Sequence, residues 1–375
     1  MPTHRSVSRY RCRVTAALLT DKYELTMLSA ALRDGTARCY TTFEVFARRL
    51  PEGRRYGVVA GTGRFLEMLA EFVFDDAACA SLSSFLDRAT LDYLRDFRFS
   101  GDIDGYPEGE LYFPGSPILS VTGTFGECVV LETLALSVFN HDTAIASAAA
   151  RMVSAAEGRP LIEMGSRRTH EQAAVAAARA AYIAGFAGTS NLEACRRDGV
   201  PALGTSAHAF TMLYTTASGS DERAAFRAQV DALGVGTTLL VDTYDVTTGV
   251  ANAIAVAGPE LAAVRIDSGD LGVLARQVRV QLDGLGATGT KIVVSGDLDE
   301  YSIAALRADP VDSYGVGTSV VTGSGAPTAS MVYKLVEVDG MPVEKRSLHK
   351  ESHGGRKKAA RLAKASGTIV EETVY

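Results

Sequence analysis

From about residue 160 onward, short apolar runs alternate with segments whose apolar residues recur at helical spacing. The runs are PLIEM (160–164), AGFAG (184–188), PALGT (201–205), TTLLVDT (237–243), LAAVRI (261–266), KIVVSG (291–296) and SYGVG (313–317). Between them lie helical stretches such as HEQAAVAAARAAYI and LGVLARQVRVQLDGL. Repeated strand and helix units of this kind join parallel strands by crossovers. Seven units in so short a span predict an irregular (β/α) barrel rather than an open sheet.

The first 140 residues read differently. CYTTFEVFARRL alternates like a half-buried antiparallel strand, and GELYFPGSPILSVTG is punctuated by glycine and proline. The alanine-rich HDTAIASAAARMVSAAEG (141–158) predicts a helix between the two parts. After 330 the pattern becomes strand-like in SMVYKLVEVDGMPVEKRSL, with a turn at Asp339-Gly340, and a basic HKESHGGRKKAARLAK follows. The expected organisation is a disordered extension (1–17), an N-terminal mixed α/β domain (18–140), the barrel (141–330) and a C-terminal segment (331–375) returning toward the N-terminal domain.

Composition narrows the function classes. With 375 residues, 47% of them hydrophobic, the chain can bury a large core, and its net charge of -6 gives no electrostatic reason to expect nucleic acid. Local arginines still leave room for small anionic ligands. Cys12, Cys39, Cys79, Cys128 and Cys195 are scattered, without CxxC or Cys/His spacing, so neither a disulfide framework nor a zinc site is indicated and a cytoplasmic location is expected. The N-terminal stretch VTAALL is shorter than a signal-peptide core, and no run approaches the roughly 20 apolar residues of a membrane span.

In a (β/α) barrel the loops after the strands build the active site. The polar clusters fall there: GSRRTHE, TSN, SAHAF, DTYD, DSGDL, GDLDE and GTSVVTGSG follow the successive runs. Each has a plain alternative. Asp270, Asp299 and Asn191 are expected helix N-caps when taken singly. Arg167 and Arg168 read either as a solvated face or as a fork for carboxylate or phosphate. GVGTSVVTGSG is either a turn or a set of backbone N–H groups facing phosphate. His208 reads as a capping or packing residue, a general base or a phosphoryl acceptor.

Taken in order, LLTDKYELTM, EMGSRRTHE, AGFAGTSN, GTSAHAF, RIDSGDL, VSGDLDE and YGVGTSVVTGSG resemble nicotinate phosphoribosyltransferase, a type II phosphoribosyltransferase, from about residue 18 to about 360. The resemblance implies an N-terminal α/β domain packed on an irregular barrel, and a homodimer with active sites shared across the interface. It implies transfer of the 5-phosphoribosyl group from phosphoribosyl pyrophosphate to nicotinate, with ATP as co-substrate and Mg2+ as cofactor. Tyr23 of the partner subunit would stack on the pyridine ring, and Arg167, Ser190 and Arg265 would line the base pocket. Ser190 stands where the related nicotinamide enzymes carry an aspartate, which would repel a carboxylate. Asp267 would bind ribose hydroxyls or metal, while Gly296, Asp297, Gly317 and Thr318 would cradle the 5-phosphate and ribose. His208 matches the histidine that the family phosphorylates with ATP.

Met164 departs from the phenylalanine of many relatives, and Arg48, Arg49, Lys350 and Lys357 fall near stretches that place basic residues on phosphates. The alternatives are a nicotinamide or quinolinate phosphoribosyltransferase and a non-catalytic sensor of phosphoribosyl compounds. Ser190 counts against the first, the His208 motif against the second, and the retained site residues against the third.

Overall fold

The computed structural model describes residues 15–346 and 353–375. Two hydrophobic cores meet along one long helix, Glu132–Ala156. Its alanine-rich sequence lets two different layers pack closely on it. Leu134, Val138 and Phe139 enter the core of the N-terminal half, whereas Ala146, Ala149 and Met152 enter the barrel core. The helix starts nine residues before the predicted HDTAIAS stretch, because LETLALSVFN continues the same apolar spacing.

The N-terminal half is a five-stranded antiparallel sheet in the order Met341–Pro342, Met331–Val338, Tyr40–Ala47, Leu119–Thr124, Asp102–Gly105. Met331–Val338 therefore crosses from the end of the barrel to pair with the first strand of the chain. The Asp339-Gly340 turn that follows has both residues at positive φ, 47° and 78°, which suits a tight two-residue hairpin. Ala16 and Ala17, inside the expected disordered extension, are buried in this core as part of a short 3-10 turn, Ala16–Leu18. Residues 1–14 lie outside the described residues.

The second half is a mixed α/β unit whose six parallel strands form a half-barrel, ordered Thr238–Leu240, Ala263–Ile266, Lys291–Ser295, Ser313–Val316, Leu161–Glu163, Gly188–Thr189. The irregular barrel expected from the sequence is thus present, with corrections at two runs. AGFAG is mostly a turn: Ala184 closes the preceding helix, Gly185 sits at φ 109°, and the strand begins at Gly188. PALGT makes only an isolated bridge between Thr189 and Ala202. Pro201 accepts from the Thr189 N–H at 3.0 Å but has no N–H to extend the ladder.

Candidate active site

Every barrel strand ends in a polar turn, and the helix after each turn is capped by one of its side chains, except the short helix Thr318–Val321, which opens at Gly317. Asn191 accepts from the Ala194 N–H, Asp270 from Val273, and Asp299 from Tyr301 and Ser302. The plain reading of these three residues holds. Their neighbours are left to face inward.

Those neighbours enclose a cavity of about 780 Å³ at the C-terminal ends of the strands. Arg167, Ser190, Arg265, Asp267, Gly296, Asp297, Gly317 and Thr318 all line it. The sequence therefore selected residues up to about 150 positions apart that converge on one space. Arg168 and Met164 line it as well.

Arg265 is the hub of the cavity floor. Its guanidinium donates to Ser295 Oγ at 2.7 Å, Thr205 Oγ1 at 2.8 Å and Asp267 Oδ1 at 2.7 Å. Ser295 Oγ donates to the same Asp267 oxygen. Burial pushes the Asp267 carboxyl up, but the hydrogen bonds from Ser295 and Arg265 and the nearby positive charge outweigh it and hold the group below the usual carboxylate range. An anion with a second oxygen open to the cavity results. Beneath it Asp242, almost fully buried, accepts from the Asp267 N–H at 2.8 Å and from Ser268 Oγ at 2.7 Å.

His208 opens the helix His208–Met212. Its Nδ1 lies 3.1 Å from Thr243 Oγ1, and its Nε2 faces Asp267 Oδ2 at 3.8 Å and Asp242 Oδ1 at 3.9 Å. The imidazole is thus held at one nitrogen and turned with the other toward two carboxylates. Neither Asp242 nor Thr243 was singled out from the sequence, although both lie in the DTYD cluster at a strand end.

The Arg167 and Arg168 side chains are exposed and have no ion-pair partner among the described residues. A guanidinium facing a cavity without an internal carboxylate is ready for an anionic ligand. On the neighbouring strand, Gly315 leaves no room for a side chain. A Cβ there would lie 2.8 Å from Met164 Sδ, so the thioether occupies the space a larger residue would take. Gly296 sits at φ 110°, and a Cβ on it would come within 2.4 Å of the Asp267 carbonyl oxygen. Glycine there lets the loops after Ala263–Ile266 and Lys291–Ser295 touch.

Tyr23 is not in this cavity. It stands half-exposed on the helix Lys22–Asp34, with Leu19 and Met27 exposed one turn to either side. Burial, with the charges of Glu132 and Glu24, pushes its hydroxyl up to about 12, so the phenol stays protonated. Lys357 is not free for phosphate: its Nζ donates to Glu44 Oε2 at 2.7 Å and its N–H to Oε1 at 2.7 Å. Arg48 and Arg49 belong to the N-terminal half at the end of the Tyr40–Ala47 strand, and Lys350 lies outside the described residues.

A parallel half-barrel with a charged cavity at its strand ends places the chain in the α/β barrel class, whose sites lie at that end. The comparisons narrow it further. Residues 18–140 match the nicotinate phosphoribosyltransferase N-terminal domain and residues 160–368 match the nicotinate phosphoribosyltransferase family. The chain belongs to the nicotinate phosphoribosyltransferase family.

It is 77% identical over 363 residues to the nicotinate phosphoribosyltransferase pncB1 of Mycobacterium tuberculosis, covering 96% of this chain and 81% of that protein. The Bacillus subtilis nicotinate phosphoribosyltransferase is 37% identical, with 93% and 74% covered. Among solved structures, human nicotinic acid phosphoribosyltransferase superposes with a TM-score of 0.79 at 30% identity, over 95% of this chain and 81% of that one. A nicotinate-nucleotide pyrophosphorylase from Pyrococcus furiosus also superposes with a TM-score of 0.79, at 26% identity, over 100% and 86% of the two chains. No helix among the described residues is long and apolar enough to cross a membrane.

Proposed function

We propose that this chain transfers the 5-phosphoribosyl group of phosphoribosyl pyrophosphate to nicotinate, forming nicotinate mononucleotide and pyrophosphate for NAD synthesis, with ATP as an energy-supplying co-substrate. The observation that carries this reading is one cavity joining Arg167, which has no ion-pair partner among the described residues, the Arg265–Asp267 pair and the glycine turns of the last strands. The 77% identity to a nicotinate phosphoribosyltransferase supports it.

The transfer needs no protein nucleophile. The pyridine nitrogen attacks C1 of the ribose while the C1–O bond to pyrophosphate breaks, and the leaving group departs with the bonding electrons. The ribose passes through an oxocarbenium-like state. Positioning and charge stabilisation then dominate catalysis. Arg167 pairs with the nicotinate carboxylate, and Ser190 offers a hydroxyl where an acidic group would repel it. Asp267, held ionised by Arg265 and Ser295, faces the ribose and its developing positive charge. Tyr23 of the partner subunit supplies a flat apolar face to the base.

Among the described residues there is no cluster of three or more metal-ligating side chains. Mg2+ keeps waters and phosphate oxygens and takes one or two carboxylates. Asp267 and Asp297 line the cavity and are the residues that would hold it. Bound there, it would neutralise pyrophosphate charge.

In the tautomer whose Nδ1–H donates to Thr243 Oγ1, His208 Nε2 keeps a lone pair able to take the γ-phosphoryl group of ATP, releasing ADP. The test follows nicotinate mononucleotide and ADP together, with and without ATP, in wild type and His208→Ala. ATP is expected to stimulate the wild type, while His208→Ala loses ADP formation and keeps slow transfer. ADP formation that persists in His208→Ala would overturn the role of this histidine.

A further inference from the structure

Glu163 is the last residue of the strand Leu161–Glu163, only 1% exposed, and lies behind the cavity wall rather than in it. Its two carboxyl oxygens reach two different loops. Oε1 accepts from the Gly165 N–H, and Oε2 accepts from the Thr189 hydroxyl. Its backbone carbonyl accepts from the Ser190 N–H at 2.9 Å.

The connection continues on the far side. Thr189 Oγ1 accepts from the Asn191 N–H at 2.9 Å, and Asn191 Nδ2 donates to Ser166 Oγ at 2.9 Å. Starting at Glu163 and passing through Gly165, along the chain to Ser166, then through Asn191 and Thr189, the hydrogen bonds and that one peptide link return to Glu163 as a closed ring. That ring ties the loop carrying Arg167 to the loop carrying Ser190. The backbone is equally confined, since a Cβ on Gly165 would lie 2.3 Å from Val321 Cγ1 and 2.9 Å from the Gly317 carbonyl oxygen.

We propose that Glu163 is a positioning residue for base selectivity: through Gly165 and Thr189 it fixes the spacing between Arg167 and Ser190 at which a carboxylate fits. The assignment rests on the nicotinate reading of the cavity. The physical basis is that a guanidinium recognises a carboxylate by paired, directional hydrogen bonds, which a displacement of a fraction of an ångström weakens. A carboxamide has no negative charge to gain from that alignment. Loss of the ring therefore costs nicotinate more than nicotinamide. The residues proposed to meet ribose and phosphate follow other strands, and the Glu163 side chain makes no hydrogen bond to them.

The experiment compares the wild type with Glu163→Gln, Glu163→Leu and Thr189→Val in the full chain, measuring kcat, KM for each substrate and the nicotinate to nicotinamide ratio of kcat/KM. Gln keeps an acceptor for Gly165 and a polar contact to Thr189, so Glu163→Gln is expected within about threefold of wild type. Glu163→Leu keeps the bulk and removes both bonds. It is expected to raise the nicotinate KM about tenfold and lower the selectivity ratio similarly, with the phosphoribosyl pyrophosphate KM within about threefold. Should Glu163→Leu fail to fold, Thr189→Val removes one hydroxyl at nearly constant volume and decides in the same direction.

Equal changes in both KM values, or a selectivity ratio that does not move, would overturn the proposal while leaving the substrate reading intact. A wild type that makes no nucleotide from nicotinate would instead remove the substrate reading, before any variant is compared.

Discussion

Arg167 and Arg265 are both arginines at strand ends, yet they have opposite electrostatic settings. Arg265 is spent internally on Asp267, Ser295 and Thr205. Arg167 meets no carboxylate of its own chain among the described residues. Truncating them should therefore differ. Arg167→Ala is expected to lose a charge-assisted hydrogen bond worth about 1.5–3 kcal/mol, raising the nicotinate KM roughly 10- to 100-fold without destabilising the fold. Arg265→Ala would leave Asp267 without its partner and should lower kcat as well. Thermal melts beside steady-state kinetics separate the two.

At this scale the sequence was most informative where chemistry is local. Asn191, Asp270 and Asp299 cap the helices that their positions suggest. Glu163 and Asp242 were not picked out, because their importance lies in partners 26 and 25 residues away. The one available signal for Glu163 was a charged residue inside the apolar run PLIEM, which requires a buried partner.

The strand-end turn is the element that makes the cavity. Six parallel strands supply it, and their apolar runs were legible because parallel strands are buried on both faces. The failures have specific causes. In AGFAG the apolar residues belong to a helix terminus, and glycine at φ 109° shifts the strand onward. In PALGT two bonds form, from the Thr189 N–H to Pro201 and from the Leu203 N–H to Thr189, and the proline has no N–H to carry the ladder further.

The turn after Lys291–Ser295 depends most on backbone freedom. Gly296→Ala introduces positive-φ strain and a contact of 2.4 Å with the Asp267 carbonyl, so the Asp267 loop must move. The expected outcome is a rise in the phosphoribosyl pyrophosphate KM of about tenfold or more, read from substrate titrations, with a strain cost of about 1–2 kcal/mol in unfolding experiments. An unchanged KM would contradict the close approach of these two turns.

On the scale of the whole molecule, the pairing of Met331–Val338 with Tyr40–Ala47 brings the end of the barrel segment back to the first sheet. The helix Glu132–Ala156 then packs both cores. Such long-range closure is invisible to local periodicity, although the strand itself and its Asp339-Gly340 turn were readable. Tyr23 sits outside the cavity of its own chain, with its ring exposed beside Leu19 and Met27. If it serves the partner subunit, Tyr23→Ala and Asp267→Ala chains are each nearly inactive alone. Mixing them after co-refolding should restore up to about a quarter of wild-type activity, since half of the chains pair as heterodimers and each heterodimer holds one intact site. Tyr23→Ala with full activity would contradict a shared site.

The claim on which the rest depends is that the cavity joins phosphoribose to nicotinate. Its most direct measurement is the initial rate of nucleotide and pyrophosphate formation from phosphoribosyl pyrophosphate with nicotinate, nicotinamide or quinolinate, each supplied alone at equal concentration with Mg2+ and ATP. The account predicts nicotinate mononucleotide as the main product and nicotinate favoured at least tenfold over the other two bases. Preferential use of quinolinate with release of carbon dioxide, or binding of phosphoribosyl pyrophosphate with no pyrophosphate release from any base, would contradict it.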